Sequence, residues 1–195
     1  MFFNNLKKYS KIILASQSPR RQNLFKELGI EYEVKVKQGI EEIYPETLKE
    51  EEIALFLAEL KSKNYKPEIE EGNLVITADT IVLLNGKVIG KPKDKQDAVR
   101  ILNELSGNKH RVITGVSLSA KHKQYTFFAE TDVFFKILNA KEIEYYLSTY
   151  KPYDKAGSYG IQEWIGYIGI EKIEGSYYNV MGLPIQMLYE ELRRF

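Results

Sequence analysis

The 195-residue chain contains no cysteine, which excludes disulfides, thiolate metal sites and a cysteine nucleophile. Its two histidines, His110 and His122, are too few and too scattered for a histidine metal cluster. His110, between Lys109 and Arg111, reads as a loop or strand-edge residue. A charge excess is missing too: 28 basic against 27 acidic residues leave a net +1. No global field therefore invites nucleic acid, and any anion site must be local. No apolar run reaches the ~18 residues a membrane span needs, and the N-terminus lacks the apolar core of a signal peptide. The expectation is a cytoplasmic protein with no membrane partner. Repeats, low-complexity tracts and clear linkers are absent, and 44% hydrophobic with 28% charged residues is ordinary for a globular chain. That length suits one domain, or two small lobes sharing a core.

Against this plain background one segment stands out. Ile12-Ile13-Leu14-Ala15 reads as a short buried strand. Ser16-Gln17-Ser18-Pro19-Arg20-Arg21 follows, and then a helical pattern at Leu24, Phe25 and Leu28 that Gly29 stops. Ser18 suits the N-cap and Pro19 the first helical position, which puts Arg20 and Arg21 in the first turn. That helix end already carries partial positive charge, so a cation there costs roughly 0.3–1 kcal/mol. Two of them make sense if an anion such as phosphate sits among them; the plain alternative is that both face solvent.

Farther along, the alternation from Glu31 to Val36 predicts a half-buried strand. A helix is expected over Leu48–Asn64, burying Ile53, Phe56, Leu57 and Leu60. Leu74–Ala78 predicts a buried strand ending at Asp79-Thr80, and Asn85-Gly86 a tight hairpin. Asp94 caps a helix carrying Ala98, Ile101, Leu102 and Leu105, which Gly107 closes. Strands are expected at Arg111–Ser119 and Gln124–Lys136. A helix capped by Asn139 should end at Tyr150, a strand cover Ile165–Ile173, and a last helix follow Pro184. The patch from Tyr145 to Tyr153 reads as core. Interleaved helices and strands with hairpins predict an α/β fold with a mixed, twisted sheet flanked by helices.

Asp79, at the expected carboxyl end of an apolar strand, is placed where such folds bind ligands, although a lone aspartate there is more often a turn former. Glu41 and Glu42 lie in a glycine-containing loop and alone would be a solvated acidic pair. With Asp79 they offer oxygen ligands for Mg²⁺ or Mn²⁺, the kind of site that shares its metal with substrate phosphates. Lys61, one residue beyond the expected apolar stripe of its helix, Lys91 between Gly90 and Pro92, and Lys155 before Ala156-Gly157 complete a set of cations.

Ser16-Gln17-Ser18-Pro19-Arg20-Arg21, Ala78-Asp79-Thr80, Gly90-Lys91-Pro92, Lys155 through Gln162, Gly175-Ser176-Tyr177 and Gly182-Leu183-Pro184 together resemble the Maf nucleotide pyrophosphatases, in the family's order and across nearly the whole chain. The resemblance implies an elongated, two-lobed fold related to inosine triphosphatases, spanning 1–195 with a central cleft. It implies hydrolysis of nucleoside triphosphates to monophosphate and pyrophosphate with a divalent metal, and a homodimer. It matches the catalytic, metal-holding pair to Asp79 and Glu42, with Glu41 as the close alternative. The substrate-binding set matches Ser16, Arg20, Arg21, Lys61 and Lys91, with Lys155 added from its glycine-rich motif. Arg20, Thr80 and Gln162 match the marks of the branch acting on dTTP and UTP, with modified pyrimidine nucleotides as further candidates. The branch acting on 7-methyl-GTP has tryptophan at the Arg20 position. Glu163 departs from the family's usual glycine. The competing reading is a nucleotide- or nucleic-acid-binding regulator of septum formation without turnover, which would need the cations but not the carboxylates.

Overall fold

The computed structural model describes residues 3–195. Among the described residues seven strands form one sheet: β1 (Ile12–Leu14), β2 (Glu33–Val34), β3 (Leu74–Leu84), β4 (Lys87–Ile89), β5 (Lys109–Ala120), β6 (Lys123–Phe135) and β7 (Ile170–Gly175). Their order is β2-β1-β3-β5-β6-β7, with β4 paired to β3. Strand β1 runs parallel to β2 and β3, while β4 is antiparallel to β3 and β7 to β6. The sheet is therefore mixed, as the interleaved pattern predicts.

The helices are α1 (Pro19–Lys26), α2 (Glu50–Lys63), α3 (Lys66–Glu70), α4 (Lys95–Leu105), α5 (Ala140–Tyr150), α6 (Trp164–Gly169), α7 (Tyr177–Val180) and α8 (Ile185–Arg194). The chain divides into two compact units. One comprises the described residues up to Asp79 with Thr114–Ala129 and Gly182–Phe195; the other comprises Thr80–Ile113 and Glu130–Met181.

In the first unit, α2 turns a different face inward from the one its large residues suggest. Ile53, Ala54, Leu57, Ala58 and Ser62 are buried, while Phe56 and Leu60 are only half-buried. The cause is close approach to β5: a Cβ on Gly115 would lie 2.2 Å from the Ala54 carbonyl oxygen. Small residues face the sheet because only they let the helix come that near. Lys61 stands three residues after Ala58 and seven after Ala54, so it belongs to this inward stripe rather than beyond it. Strand β2 is shorter than the alternation predicts, and at this sheet edge Val34 and Val36 are 45% and 40% exposed. Only Tyr32 packs, edge-on to Phe25 at 4.8 Å between ring centroids.

The second unit holds an apolar core that includes Val82, Ile101, Leu102, Val112, Val133, Phe135, Tyr146 and Ile165. Asn85 and Gly86, with φ of 51° and 75°, form the turn between β3 and β4, the conformation that Asn-Gly favours. Asp94 accepts from the Asp97 N–H and Asn139 from the Lys141 and Glu142 N–H groups. Gly107 takes φ +69° after α4.

Three expectations fail here. Residues 165–173 are not one strand: α6 comes first and β7 begins only at Ile170. Gly166 decides it, since its Cβ position lies 1.8 Å from the Ile161 carbonyl oxygen, a contact that a side chain at that position would forbid. His110 lies inside β5, buried, and its Nε2 sits 2.8 Å from the Tyr159 hydroxyl. Of the tyrosine patch only Tyr146 is core; Tyr145 is 49% exposed and both Tyr150 and Tyr153 37%.

Candidate active site

Strand β3 changes partners midway. Leu74, Val75 and Ile76 pair with β1, and Val82, Leu83 and Leu84 pair with β4. On that side residues 77–81 lie beyond one strand and short of the other. Asp79 falls in this gap, inside an eleven-residue strand, not at a strand's carboxyl end as the sequence suggests. The strand continues because β4 folds back on it, a pairing the apolar run alone does not reveal.

After β1 the chain turns through Ser16, whose buried Oγ accepts from the Ser18 N–H at 3.3 Å. Ser18 Oγ in turn accepts from the Arg21 N–H at 3.4 Å, capping α1 as predicted. This fixes Arg21 in the first turn, aimed inward rather than at solvent. Its Nη1 donates to the Ala78 carbonyl at 2.9 Å and its Nε to the Gly182 carbonyl at 2.6 Å. Ile76 gives its carbonyl to the Ala15 N–H at 2.8 Å. Ala78, two residues on, is the next carbonyl on that edge, and Arg21 takes it where β1 has ended. Burial pulls the Arg21 guanidinium below its ordinary value; the charge of Asp79 opposes this, and nearby Arg20 adds to it.

Period-two alternation puts Thr77 and Asp79 on one face of β3. Opposite them, Ala58 and Lys61 are one turn apart on α2. Thr77 Oγ1 donates to the Ala58 carbonyl at 2.7 Å, and Lys61 Nζ donates to Asp79 Oδ1. The same ammonium lies 2.8 Å from Glu42 Oε1. The structure thus selects Glu42 over Glu41 as the loop carboxylate that reaches Lys61. Asp79 and Lys61 are largely shielded, while the Glu42 side chain is 42% exposed.

The loop that carries Glu42 is anchored upstream. Lys35 and Lys37 pair with the buried Glu68 at 2.7 and 2.9 Å. The Tyr65 hydroxyl accepts from the Lys37 N–H at 2.9 Å and donates to the Lys35 carbonyl at 3.0 Å. Burial alone would push Glu68 up, but the hydrogen bonds from Lys35 and Lys37 outweigh it and bring it down to about 2. Nothing in the local pattern of residues 35–37 announces this anchor.

Two converging carboxylates are hard oxygen donors of the type a divalent cation takes. Among the described residues no group of three or more His, Cys, Asp or Glu side chains gathers. A cation here would have two protein ligands, Asp79 and Glu42, the number Mg²⁺ commonly uses when phosphate oxygens and water complete its shell. The donor set fits such an ion.

The remaining predicted residues belong to the second unit. Thr80 follows Asp79 in β3, half-buried, its side chain alternating to the other face. Lys91 is exposed beside Gly90, whose carbonyl accepts from the Gly157 N–H at 3.1 Å. Lys155 is committed to carboxylates, 2.8 Å from Asp154 and 3.2 Å from Glu163, with 10% of its side chain exposed. Gln162 Oε1 is buried and accepts no hydrogen bond, and its backbone carbonyl accepts from the Tyr167 hydroxyl at 2.7 Å.

Comparison with known proteins now gives this arrangement a family. The profile described as Maf-like protein matches residues 11–195. A Phocaeicola vulgatus protein named dTTP/UTP pyrophosphatase is 57% identical over 190 residues, covering 97% of this chain and 98% of its own. A Bacteroides fragilis protein of the same name is 55% identical over 190 residues, with coverage of 97% and 98%. Among solved structures, a HAM1 protein from Coxiella burnetii aligns with a TM-score of 0.41 and 15% identity over 64% of this chain and 72% of that one, too loosely to argue from. The chain belongs to the Maf family.

Proposed function

We propose that this chain hydrolyses nucleoside triphosphates, dTTP and UTP foremost, to the monophosphate and pyrophosphate. The observation that carries the reading is the ammonium of Lys61 shared between Asp79 and Glu42, with Arg21 fixing the strand one residue before Asp79. Relatives more than half identical, over nearly their full length, bear the name of that activity.

Phosphoanhydride hydrolysis needs charge neutralisation, an oriented water and a base. In this reading the water oxygen attacks the α-phosphorus and the bond from that phosphorus to the bridging oxygen breaks. Asp79 takes the water's proton at a carboxylate oxygen, and pyrophosphate leaves with the bridging oxygen. Lys61, Arg20, Arg21 and Lys91 balance the charge that gathers on the phosphate oxygens. Ser16 shapes the turn before α1 so that its first N–H groups and the arginines share one place. Mg²⁺ or Mn²⁺ held by Asp79 and Glu42 would neutralise the same oxygens.

Thr80 and Gln162 belong to the base end of the reading. The Gln162 amide can pair with a carbonyl and an N–H on the edge of uracil or thymine, and its buried oxygen, which no protein donor meets, supports that role. The reading extends to a homodimer working in the cytoplasm; no helix among the described residues is long and apolar enough to cross a membrane.

The test is pyrophosphate release from dTTP, UTP, CTP, GTP and 7-methyl-GTP, with and without Mg²⁺ or Mn²⁺. Metal-dependent release from dTTP and UTP supports both reaction and specificity. Release mainly from another nucleotide keeps the reaction and overturns the specificity. Nucleotide binding without release overturns the reaction.

A further inference from the structure

Four residues around Gln162 form a closed network within the second unit. The Tyr146 hydroxyl donates to Glu163 Oε2 and accepts the Gly160 N–H at 3.0 Å. Glu163 Oε1 lies 3.2 Å from Lys155 Nζ. Its carboxylate lies across the open face of Gly160, where an added Cβ would come within 2.7 Å of Glu163 Cδ. The Glu163 N–H also returns to the Gly160 carbonyl at 3.0 Å. Tyr146 itself is fully buried in the core on α5, so the network ties the glycine-rich segment to the apolar core of the unit.

Gln162 sits inside this loop of contacts, between the two residues, Gly160 and Glu163, that the network pins. Tyr167 fixes its backbone carbonyl from the other direction. Where the Gln162 amide stands relative to a base is set by its backbone, so a defined choice between carbonyl-rich and amine-bearing bases needs a backbone that does not rock. Lys155, meanwhile, is turned toward Glu163 and Asp154, where it neutralises a carboxylate instead of reaching for phosphate.

We infer that Glu163, with Tyr146 and Lys155, positions Gln162, making Glu163 a specificity-determining residue and Lys155 its counter-ion rather than a phosphate ligand. This rests on the reading of Gln162 as the base-facing residue.

The experiment measures kcat and KM for dTTP and CTP in Glu163→Gln, Lys155→Met, the double variant and Gln162→Ala, together with thermal melting. Each single network variant is expected to raise KM for dTTP about tenfold, the range of a lost charge-assisted hydrogen bond, with kcat held within about threefold. The dTTP-to-CTP preference narrows in step, and the double variant is no worse than the weaker single one, because the pair acts as a unit. Two results overturn the inference while leaving the reading of Gln162 in place. One is Lys155→Met raising KM equally for dTTP and CTP while Glu163→Gln changes neither, which makes Lys155 a phosphate ligand. The other is Gln162→Ala losing the preference while Glu163→Gln keeps it, which leaves the reading of Gln162 standing and removes Glu163 from it. An unchanged preference in Gln162→Ala overturns that underlying reading itself, and the inference with it. Should Glu163→Gln melt early, Tyr146→Phe breaks the same contact without leaving a charge unpaired and is held to the same criteria.

Discussion

Arg21 Nη1 holds the Ala78 carbonyl at 2.9 Å, occupying the ladder position next to the last one β1 fills. A guanidinium does here what a strand would otherwise do, and it leaves its charge beside Asp79. Arg21→Lys keeps the charge but cannot make both contacts in a fixed fork. The variant is expected to lose about 1.5–3 kcal/mol of stability, the worth of one charged hydrogen bond. A fall in kcat of at least about tenfold should accompany it as Asp79 loses its support. Denaturant unfolding alongside pyrophosphate release checks both, and unchanged values would detach Arg21 from the site.

Asp79→Asn separates chemistry from binding. The amide cannot accept the proton, so turnover is expected to fall by about 10²–10⁴-fold, the usual worth of a general base. Lys61 keeps Glu42 as a partner, so dTTP affinity should stay within about tenfold. Pyrophosphate release and equilibrium nucleotide binding, measured on one preparation, decide the matter. Wild-type rates would remove Asp79 from the reaction.

Gly115 sets the distance between α2 and β5. Gly115→Ala must push the Ala54 backbone aside, because a Cβ would stand 2.2 Å from its carbonyl oxygen. The expected loss is about 3 kcal/mol, at the high end for overpacking. Gly90→Ala is the control: nothing lies within 4 Å of its Cβ position, and surface changes of this kind stay within about 0.5 kcal/mol. Because Lys61 rides on the same helix, Gly115→Ala should also lower activity in the fraction that remains folded.

Two buried groups give the stability curve separate acid limbs. Burial holds His110 down to about 4, with Asp132 opposing. The unfolded chain therefore takes up a proton first as pH falls, and stability present above the ordinary histidine value of 6.5 is lost on the way to about 4. Glu68, held near 2 by its lysines against the cost of burial, contributes stability present above 4.5 and lost only as pH falls toward 2. His110→Gln retains an acceptor for Tyr159 and should flatten the upper limb, worth on the order of 3 kcal/mol. Urea unfolding at pH 7, 5.5 and 4.5 reads it; identical slopes in the two proteins would rule out His110 as the cause.

What the sequence made legible was local. Ser18 before Pro19, Asp94, Asn139 and the Asn85-Gly86 turn announce themselves because a cap or tight turn is decided within four residues. What stayed hidden was decided by distant neighbours. The end of β3 depends on where β1 stops and β4 begins, so Asp79 looked terminal. The stripe of α2 depends on Gly115, so Phe56 and Leu60 looked more buried than Ala54 and Ala58. The segment 165–173 fits a helix or a strand equally well until Gly166 meets the backbone of Ile161. The Glu68 anchor and the Tyr146–Glu163 contact join residues that are 31 and 17 positions apart in the chain.

The alternation of β3 makes the identity of the site a question of parity. Thr77 and Asp79 meet α2 because both are odd-numbered steps along a strand whose register β1 fixes at Leu74, Val75 and Ile76. Replacing any one side chain between Ile76 and Asp79 leaves that count intact. Deleting a single residue there would bring Thr80 to the position facing Lys61, and a hydroxyl would stand where the carboxylate belongs. Substitution can tune this segment, but a change in its length by one reverses which face carries the acid.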